Sequence, residues 1–225
     1  MQVNADLSER AVVDTTALFW VPSPIVGIER KWLERDSKDI VRATSLVRYA
    51  AGAEYAPHQH RSGEEFLVLE GTLCDEYGEY PAGTYVRNPR GSRHRPFSRT
   101  GCILMVKEVQ IAAEDRARIL IDTKKAQWQP YPGPPGLETI PLHTYGRERA
   151  MLLRWGPGSI YPAHGHTGGE EFFVLEGSLS DEYGTYPVGT WVRSPAGSGH
   201  APFSEGGAVI LVKFGHLTAI GKQAA

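Results

Sequence analysis

Cysteine is nearly absent from this chain of 225 residues, which has only Cys74 and Cys102. Two cysteines cannot build the dense disulfide framework of a small secreted domain, and they do not form a C-x-x-C pair. We therefore interpret both as small, buried apolar side chains. Glycine and proline are abundant by contrast, with 25 and 16 residues, and this predicts short strands and turns in place of long helices.

A large excess of charge and a long apolar segment are also lacking. The 24 Lys and Arg residues nearly balance the 26 Asp and Glu residues, which argues against a nucleic-acid surface and a polybasic membrane patch. No apolar run approaches the roughly 18–20 residues of a membrane-spanning helix, and residues 1–17 lack the order of a signal peptide. We expect a cytoplasmic protein with no nucleic-acid partner and no membrane partner.

An internal duplication organises the chain. Residues 52–107 align without a gap to residues 158–213 at a constant offset of 106, with 33 identities in 56 positions. A weaker similarity lies upstream, where Asp14-Thr15 resembles Asp122-Thr123 at an offset of 108. Solenoid repeats are only about 20–50 residues long, so this longer period indicates two copies of a whole domain.

Each copy is predicted to be built from strands. Short apolar runs such as 66–69 and 103–106 are bounded by glycine, and the stretch 75–81 is typical of a turn between strands. We predict an all-β protein with two tandem jelly-roll β-barrels. The expected domains are residues 1–112 and residues 113–225.

Six of the eight histidines occupy equivalent positions in the two copies, within the pattern H-x-H-x3-E and a distant histidine. Side chains two residues apart on a strand point to one face. Three imidazoles and a carboxylate gathered inside a barrel would be unfavourable without a counter-charge. Such donors suit Zn²⁺, Fe²⁺, Mn²⁺, Ni²⁺ or Cu²⁺ better than Ca²⁺ or Mg²⁺. The predicted ligand histidines are His58, His60, His94, His164, His166 and His200.

The carboxylate ligand has two candidates in each copy. They are Glu64 or Glu65 in the first copy and Glu170 or Glu171 in the second. Adjacent strand residues face opposite sides, so only one member of each pair should face the metal. The remaining histidines, at positions 143 and 216, lie outside the repeated pattern, and we expect neither to be a ligand.

The repeated motifs resemble those of the cupin family. The first motif is Gly52-x5-His58-x-His60-x3-Glu64-x6-Gly71, and the second is Gly83-x5-Pro89-x-Gly91-x2-His94. The second copy repeats both motifs, with Gly158, His164, His166, Glu170, Gly177, Gly189, Pro195, Gly197 and His200. Serine, at positions 98 and 204, stands where the second motif usually ends in asparagine. The resemblance implies a double cupin with metal ligands His58, His60, Glu64 and His94, and His164, His166, Glu170 and His200.

The stretch Gly91-Ser92-x-His94-x-Pro96-x-Ser98, after Asp75-Glu76-x-Gly78, is similar to the ChrR-like cupins. That grouping contains the cupin module of the anti-sigma factor ChrR and an acetylacetone-cleaving dioxygenase. The resemblance implies a zinc cofactor, with Fe(II) as the alternative. Anti-sigma activity in this family resides in a separate N-terminal helical domain with an H-x3-C-x2-C motif. That motif is absent here, so a sigma factor is not an expected partner.

Two functions follow from the resemblance. The first is a metal-binding double cupin with a sensory or regulatory role, responsive to a small ligand or to oxidative stress. The alternative is an Fe(II)-dependent dioxygenase that cleaves a small enolisable dicarbonyl compound. Both a regulatory and an enzymatic role are compatible with the motifs, and no catalytic residue is assigned. No Ser-His-Asp order, phosphate loop or nucleotide fingerprint indicates another class of enzyme.

The two copies differ in charge around the second motif. Residues 52–107 contain seven basic residues, whereas residues 158–213 contain two. Arg93 and Arg95 flank His94 in the first copy. These arginines are expected either to attract a small anionic ligand or to form salt bridges between domains or subunits. We also expect a homodimer that assembles through sheet edges.

Overall fold

The computed structural model of the protein describes residues 1–36 and 42–218. Its regular structure consists of antiparallel strands up to Phe214. Contacts divide the chain into two compact units, and the all-β prediction of two barrels is confirmed. Unit 1 comprises Met1–Ala5 and Leu18–Ala126, and unit 2 comprises Asp6–Ala17 and the chain from Gln127 onward. No helix among the described residues has the length and hydrophobicity needed to cross a membrane.

The strands of unit 1 form one large sheet and a smaller pairing beside it. They are β2 (Val21–Pro22), β3 (Ile28–Arg35), β4 (Ala43–Tyr49), β5 (His58–Gln59), β6 (Glu64–Asp75), β7 (Gly78–Pro81), β8 (Thr84–Asn88), β9 (Arg93–His94), β10 (Cys102–Glu108) and β11 (Ile119–Asp122). The large sheet has the order β11-β8-β6-β10-β4-β3-β2, while β7 pairs with β6, and β5 pairs with β9.

Unit 2 repeats this arrangement. Its strands are β1 (Ala11–Asp14), β12 (Gln129–Pro130), β13 (Leu137–Tyr145), β14 (Glu148–Trp155), β15 (Ser159–Ile160), β16 (His164–His166), β17 (Glu170–Asp181), β18 (Gly184–Pro187), β19 (Thr190–Ser194), β20 (Ser198–His200), β21 (Phe203–Ser204) and β22 (Ala208–Phe214). The large sheet has the order β1-β19-β17-β22-β14-β13-β12, and β16 pairs with β20.

The units differ from the domains expected at 1–112 and 113–225. β1 precedes the first repeat in the sequence but lies in unit 2, where it pairs with β19. β11 lies beyond residue 112 but belongs to unit 1, where it pairs with β8. The similarity at offset 108 marks these two equivalent edge strands. After each strand a threonine hydroxyl donates to a glycine carbonyl, Thr15 to Gly189 (2.7 Å) and Thr123 to Gly83 (2.6 Å).

An apolar core fills each unit between the large sheet and the smaller strands. Alternation along the strands directs one set of side chains inward, and their burial supplies the main stabilisation. In unit 1 the core includes Phe66, Val68, Leu73, Tyr80, Val86, Leu104 and Val106. In unit 2 it includes Phe172, Val174, Leu179, Tyr186, Val192, Ile210 and Val212.

Gly71 explains how the long strand β6 serves two pairings. Residues before it pair with β10, and residues after it pair with β7. Gly71 has φ +70°, and a Cβ at this position would lie 2.0 Å from the carbonyl oxygen of Gly101. Only glycine permits this backbone conformation together with so close an approach.

We expect Gly71→Ala to destabilise the protein more than Gly52→Ala. Both glycines have a positive φ, but a Cβ at Gly52 would meet no described atom within 4 Å. Gly52→Ala should therefore lose roughly 1–2 kcal/mol, which reflects the left-handed backbone alone. Gly71→Ala should lose about 1–3 kcal/mol more through overpacking. Urea unfolding of both variants measures the difference, and equal losses would contradict this account of β6.

Candidate metal centres

Three histidines of unit 1 meet on two short paired strands. His58 on β5 lies opposite His94 on β9 in the strand register. His60 follows β5, and its Nε2 atom lies 2.8 Å from Nε2 of His94. One nitrogen atom from each of the three rings lies within 4.8 Å of the others. The two histidines of the H-x-H motif and the distant histidine thus lie together in unit 1.

Glu64 approaches this cluster, whereas Glu65 lies on the other face of β6. One oxygen of Glu64 is 3.3 Å from Nε2 of His60 and 3.8 Å from Nε2 of His94. Glu65 instead accepts hydrogen bonds from the Tyr85 hydroxyl (2.9 Å) and the Arg87 guanidinium (3.1 Å). The strand alternation therefore selects Glu64 as the carboxylate beside the histidines.

The cluster in unit 2 has the same composition, with the carboxylate among its closely grouped donor atoms. His164 lies opposite His200 in the pairing of β16 with β20. Donor atoms of these two histidines, His166 and Glu170 all lie within 4.8 Å of one another. Glu170 oxygens are 3.7 Å from Nδ1 of His166 and 3.5 Å from Nε2 of His200. Glu171 faces away and lies 3.3 Å from the ring of His216, so residue 216 is outside the cluster.

A buried aspartate orients one histidine in each cluster. Nδ1 of His94 lies 3.2 Å from Asp75, and Nδ1 of His200 lies 3.0 Å from Asp181. A carboxylate at Nδ1 holds the proton there and leaves Nε2 as the donor atom facing the cluster. Asp75 also accepts hydrogen bonds from the Tyr80 hydroxyl and the Tyr77 backbone N–H, both at 2.8 Å.

The outermost histidine of each cluster is oriented by backbone. Nδ1 of His58 donates to the carbonyl oxygen of Ala56 (2.9 Å), and Nδ1 of His164 donates to that of Pro162 (3.1 Å). This tautomer again leaves Nε2 unprotonated. A lone pair that is oriented before metal binding reduces the entropy lost when a ligand set forms.

Burial shapes the protonation of the clusters. It lowers the pKa of His60 to about 4, with a further contribution from the charge of His94, and it lowers the pKa of His166 to about 4. Burial also disfavours the charged form of His94, but the hydrogen bond to Asp75 and nearby carboxylates raise its pKa. Burial raises the pKa of Glu170 to about 7. A cation would relieve the cost of burying this carboxylate as an anion.

The donor sets fit a divalent transition metal. Nε2 of His166 is buried and has no hydrogen-bond partner among the described residues. In unit 1, two imidazole nitrogens lie 2.8 Å apart, so a proton or a cation must lie between their lone pairs. Neutral imidazoles and a carboxylate are ligands for zinc, iron, manganese, nickel and copper. The three histidines and the glutamate of each cluster are the residues that could hold such an ion.

A cavity adjoins each cluster. Its volume is about 390 Å³ in unit 1 and about 440 Å³ in unit 2. Apolar strand residues form much of the wall, among them Val47, Phe66 and Leu104 in unit 1. This size and mixed lining suit a small organic molecule placed beside the histidines.

The structure does not bring Arg93 and Arg95 to the cavity of unit 1, which neither residue lines. Arg93 is exposed and contacts Gln59, while the side chain of Arg95 pairs with Glu54. Arg93 and Arg95 are one residue away from His94 on either side, and alternation along the strand turns their side chains from the face that His94 occupies.

Sequence reasoning missed the two orienting aspartates. The segment Asp75-Glu76-Tyr77-Gly78 recurs unchanged at residues 181–184, but the turn and the family resemblance that it indicates assign no role to its aspartate. An acidic residue kept in both copies near a metal motif was a usable signal. Arg30 and Glu108, which line the cavity of unit 1, carried no such signal because neither recurs in the second copy.

Comparison with known proteins agrees with the fold and the repeat. The sequence matches the ChrR Cupin-like domain family twice, over residues 8–112 and residues 116–218. A proposed dioxygenase from Nostoc punctiforme has a similar structure, with a TM-score of 0.79 and 16% identity, over 94% of this chain and 84% of that one. Among curated proteins, none matches this sequence.

Two further solved structures extend the comparison. A proposed glyoxylate-induced protein from Pseudomonas aeruginosa gives a TM-score of 0.72 at 14% identity, over 95% of this chain and 90% of that one. The oxalate decarboxylase of Lactobacillus farciminis, solved with formate, gives 0.64 at 11% identity, over 92% and 86%. At these identities the similarity establishes the shared fold.

We expect the histidines of metal-free unit 1 to titrate in a fixed order. At about pH 5.5, His60 should be neutral because burial depresses its pKa. At the same pH, His94 should be protonated on both ring nitrogens, because its pKa is raised by the hydrogen bond to Asp75 and by nearby carboxylates. Asp75→Asn should lower the pKa of His94. Two-dimensional NMR of the imidazole nitrogens measures both values. Protonation of His60 before His94 would contradict the role assigned to Asp75.

Proposed function

This chain belongs to the ChrR Cupin-like domain family, and we propose that each unit binds one divalent transition metal and uses it on a small carbonyl compound. The observation that carries the proposal is the same in both units. Imidazole nitrogens and a carboxylate converge beside a cavity of about 390 Å³ or 440 Å³. A purely structural metal site would not require a space of this size next to its ligands.

Each metal would be held by four protein donors. In unit 1 these are His58, His60, Glu64 and His94, and in unit 2 they are His164, His166, Glu170 and His200. A bound divalent ion would supply Lewis acidity and, in the case of iron, access to oxygen chemistry. We favour iron for this function because three histidines and a carboxylate leave positions open in an octahedral coordination shell.

The protein itself would orient the ligands and the substrate. Asp75 and Asp181 hold the Nδ1 proton of His94 and His200, which keeps each Nε2 lone pair directed at the cluster. The apolar walls of each cavity limit the water around a bound carbonyl compound, which strengthens its polar contacts. The similarity to a proposed dioxygenase and to an oxalate decarboxylase supports small oxygen-rich substrates.

A sensory function is the second candidate. In unit 2 four protein donors lie within 4.8 Å of one another, and four protein donors are the number that a closed structural zinc site takes. In that case the protein would register a small ligand or an oxidant, as the resemblance to ChrR-like cupins implies. Metal identity therefore separates the two candidates.

We expect two metal ions per chain and a stability that depends on them. His60→Ala should lose one equivalent, because its Nε2 lies in the centre of the unit 1 cluster. His143→Gln is the matched control and should retain two equivalents. Metal in excess at 100 times its Kd should add about 2.7 kcal/mol per occupied site to the free energy of unfolding. Elemental analysis and melting curves measure both effects, and a melting temperature that is unchanged by chelation would contradict ligation in the folded state.

Catalysis is tested by oxygen uptake. Protein reconstituted with Fe(II) should consume O₂ with at least one member of a panel of small enolisable dicarbonyl compounds, whereas zinc-loaded protein should not. The variants His60→Ala and His166→Ala, alone and together, should show which unit carries the activity. Stoichiometric zinc in the purified protein, with no O₂ uptake after iron loading, would favour the sensory function instead.

A further inference from the structure

The two cavities differ in residue type at positions that the strand register shows to be equivalent. Arg30 lies opposite Val47, and Thr139 lies opposite Leu153. Val47 and Leu153 are related by the offset of 106, so Arg30 and Thr139 occupy the same place in their units. By the same offset, Ser45 corresponds to residue 151, a methionine, and Glu108 corresponds to residue 214, a phenylalanine.

Arg30 is a partly buried cation in the wall of the unit 1 cavity. Its side chain is 15% exposed, and its Nη1 atom donates to Ser45 (3.1 Å) and to Glu108 (2.9 Å). The guanidinium carbon lies 5.2 Å from the centre of the Trp32 ring. Among the residues that the structure describes, none accepts a hydrogen bond from Nη2 or Nε of Arg30. These atoms form the edge of a guanidinium that binds a carboxylate in bidentate fashion.

Glu108 pairs with the guanidinium in the wall of the cavity that the metal cluster adjoins. Its backbone lies opposite Glu64 in the register of β10 with β6, so both side chains share one face. Arg30, Glu108, His60 and His94 line the same cavity. The carboxylate of Glu108 is engaged by Nη1, which leaves the opposite edge of the guanidinium for a ligand.

Unit 2 lacks this polar group. The Thr139 hydroxyl is buried and donates to the carbonyl oxygen of Leu152 (3.0 Å). Met151 and Phe214 line the cavity together with Tyr131, Leu153 and Phe172. A threonine, a methionine and a phenylalanine thus replace the arginine, serine and glutamate of unit 1. Arg147 and Arg149 also line this cavity, but Nη1 of Arg149 donates to the backbone carbonyl oxygens of Gly146 (2.8 Å) and Glu148 (2.9 Å), and neither arginine stands at the position of Arg30.

We propose that Arg30 makes the cavity of unit 1 a site for small carbonyl compounds that carry a carboxylate. The inference rests on the proposed function, since it assigns a substrate class to the cavity beside the unit 1 cluster. Arg30 is a specificity residue in this scheme, and Glu108 is the ion-pair partner of its Nη1 atom.

Acetoacetate and acetoacetamide test the proposal, because they share a carbon skeleton and differ in charge. Binding is measured by calorimetry on zinc-loaded protein, so no turnover is required. Wild-type protein should bind acetoacetate in unit 1, and Arg30→Met should weaken that binding by about tenfold or more. Binding of acetoacetamide should change less than about twofold, since only the charged contact is lost. Arg30→Lys keeps the charge but loses the bidentate geometry of the guanidinium. Its affinity for acetoacetate should lie between that of wild type and that of Arg30→Met.

Glu108→Gln separates ligand binding from a structural salt bridge. A ligand-binding arginine released from Glu108 should bind acetoacetate as tightly as wild type or more tightly. A purely structural pair predicts that Arg30→Met and Glu108→Gln weaken both probes equally, which would overturn the inference. Thr139→Val, at the equivalent position of unit 2, is the control and should leave acetoacetate binding unchanged.

Metal content distinguishes a failure of the proposed function from a failure of the role assigned to Arg30. Wild-type protein that does not retain zinc would overturn the proposed function together with this inference. Retained zinc with no binding of acetoacetate, or with equal affinity for acetoacetate in wild type and Arg30→Met, would overturn the assignment of Arg30 alone. Retained zinc with a charge preference that Arg30→Met removes would establish it.

Discussion

The burial of three imidazoles and a carboxylate beside one another is the constraint on which the rest of each unit depends. Burial depresses the pKa of His60 and His166 to about 4, so these rings are held neutral with a lone pair available. The same burial raises the pKa of Glu170 to about 7, which marks an unfavourable site for an isolated anion. One divalent cation would satisfy both conditions, because it attracts the lone pairs and offsets the negative charge.

The surrounding strands keep this arrangement in place. β6 reaches the cluster with Glu64 at one end and supports it with Asp75 at the other, so one strand supplies both a donor and its orienting partner. Gly71 lets the strand change pairing between these two points. The Tyr80 hydroxyl then fixes the aspartate. The same arrangement in unit 2 shows that the duplication copied the orienting aspartate and its tyrosine together with the donors.

Duplication has preserved the metal chemistry while the walls of the cavities diverged. The motif residues recur at a constant offset, yet unit 2 has Thr139, Met151 and Phe214 where unit 1 has Arg30, Ser45 and Glu108. Such divergence leaves the metal donors unchanged. It alters which small molecule can be desolvated beside the histidines. Two similar centres in one chain can therefore differ in the ligands that they admit.

The β architecture, the two copies and the histidine positions follow from the sequence, because strand periodicity and motif spacing are local properties. Strand alternation leaves Glu64 and Glu65 as alternatives, of which the family motif implies Glu64, and the pairing of β6 is what turns Glu64 to the histidines. The role of Asp75 depends on a contact with a residue 19 positions away. The placement of β1 in unit 2, and of Arg30 at the cavity, likewise depends on pairings between distant strands, for which a single sequence carries no local pattern.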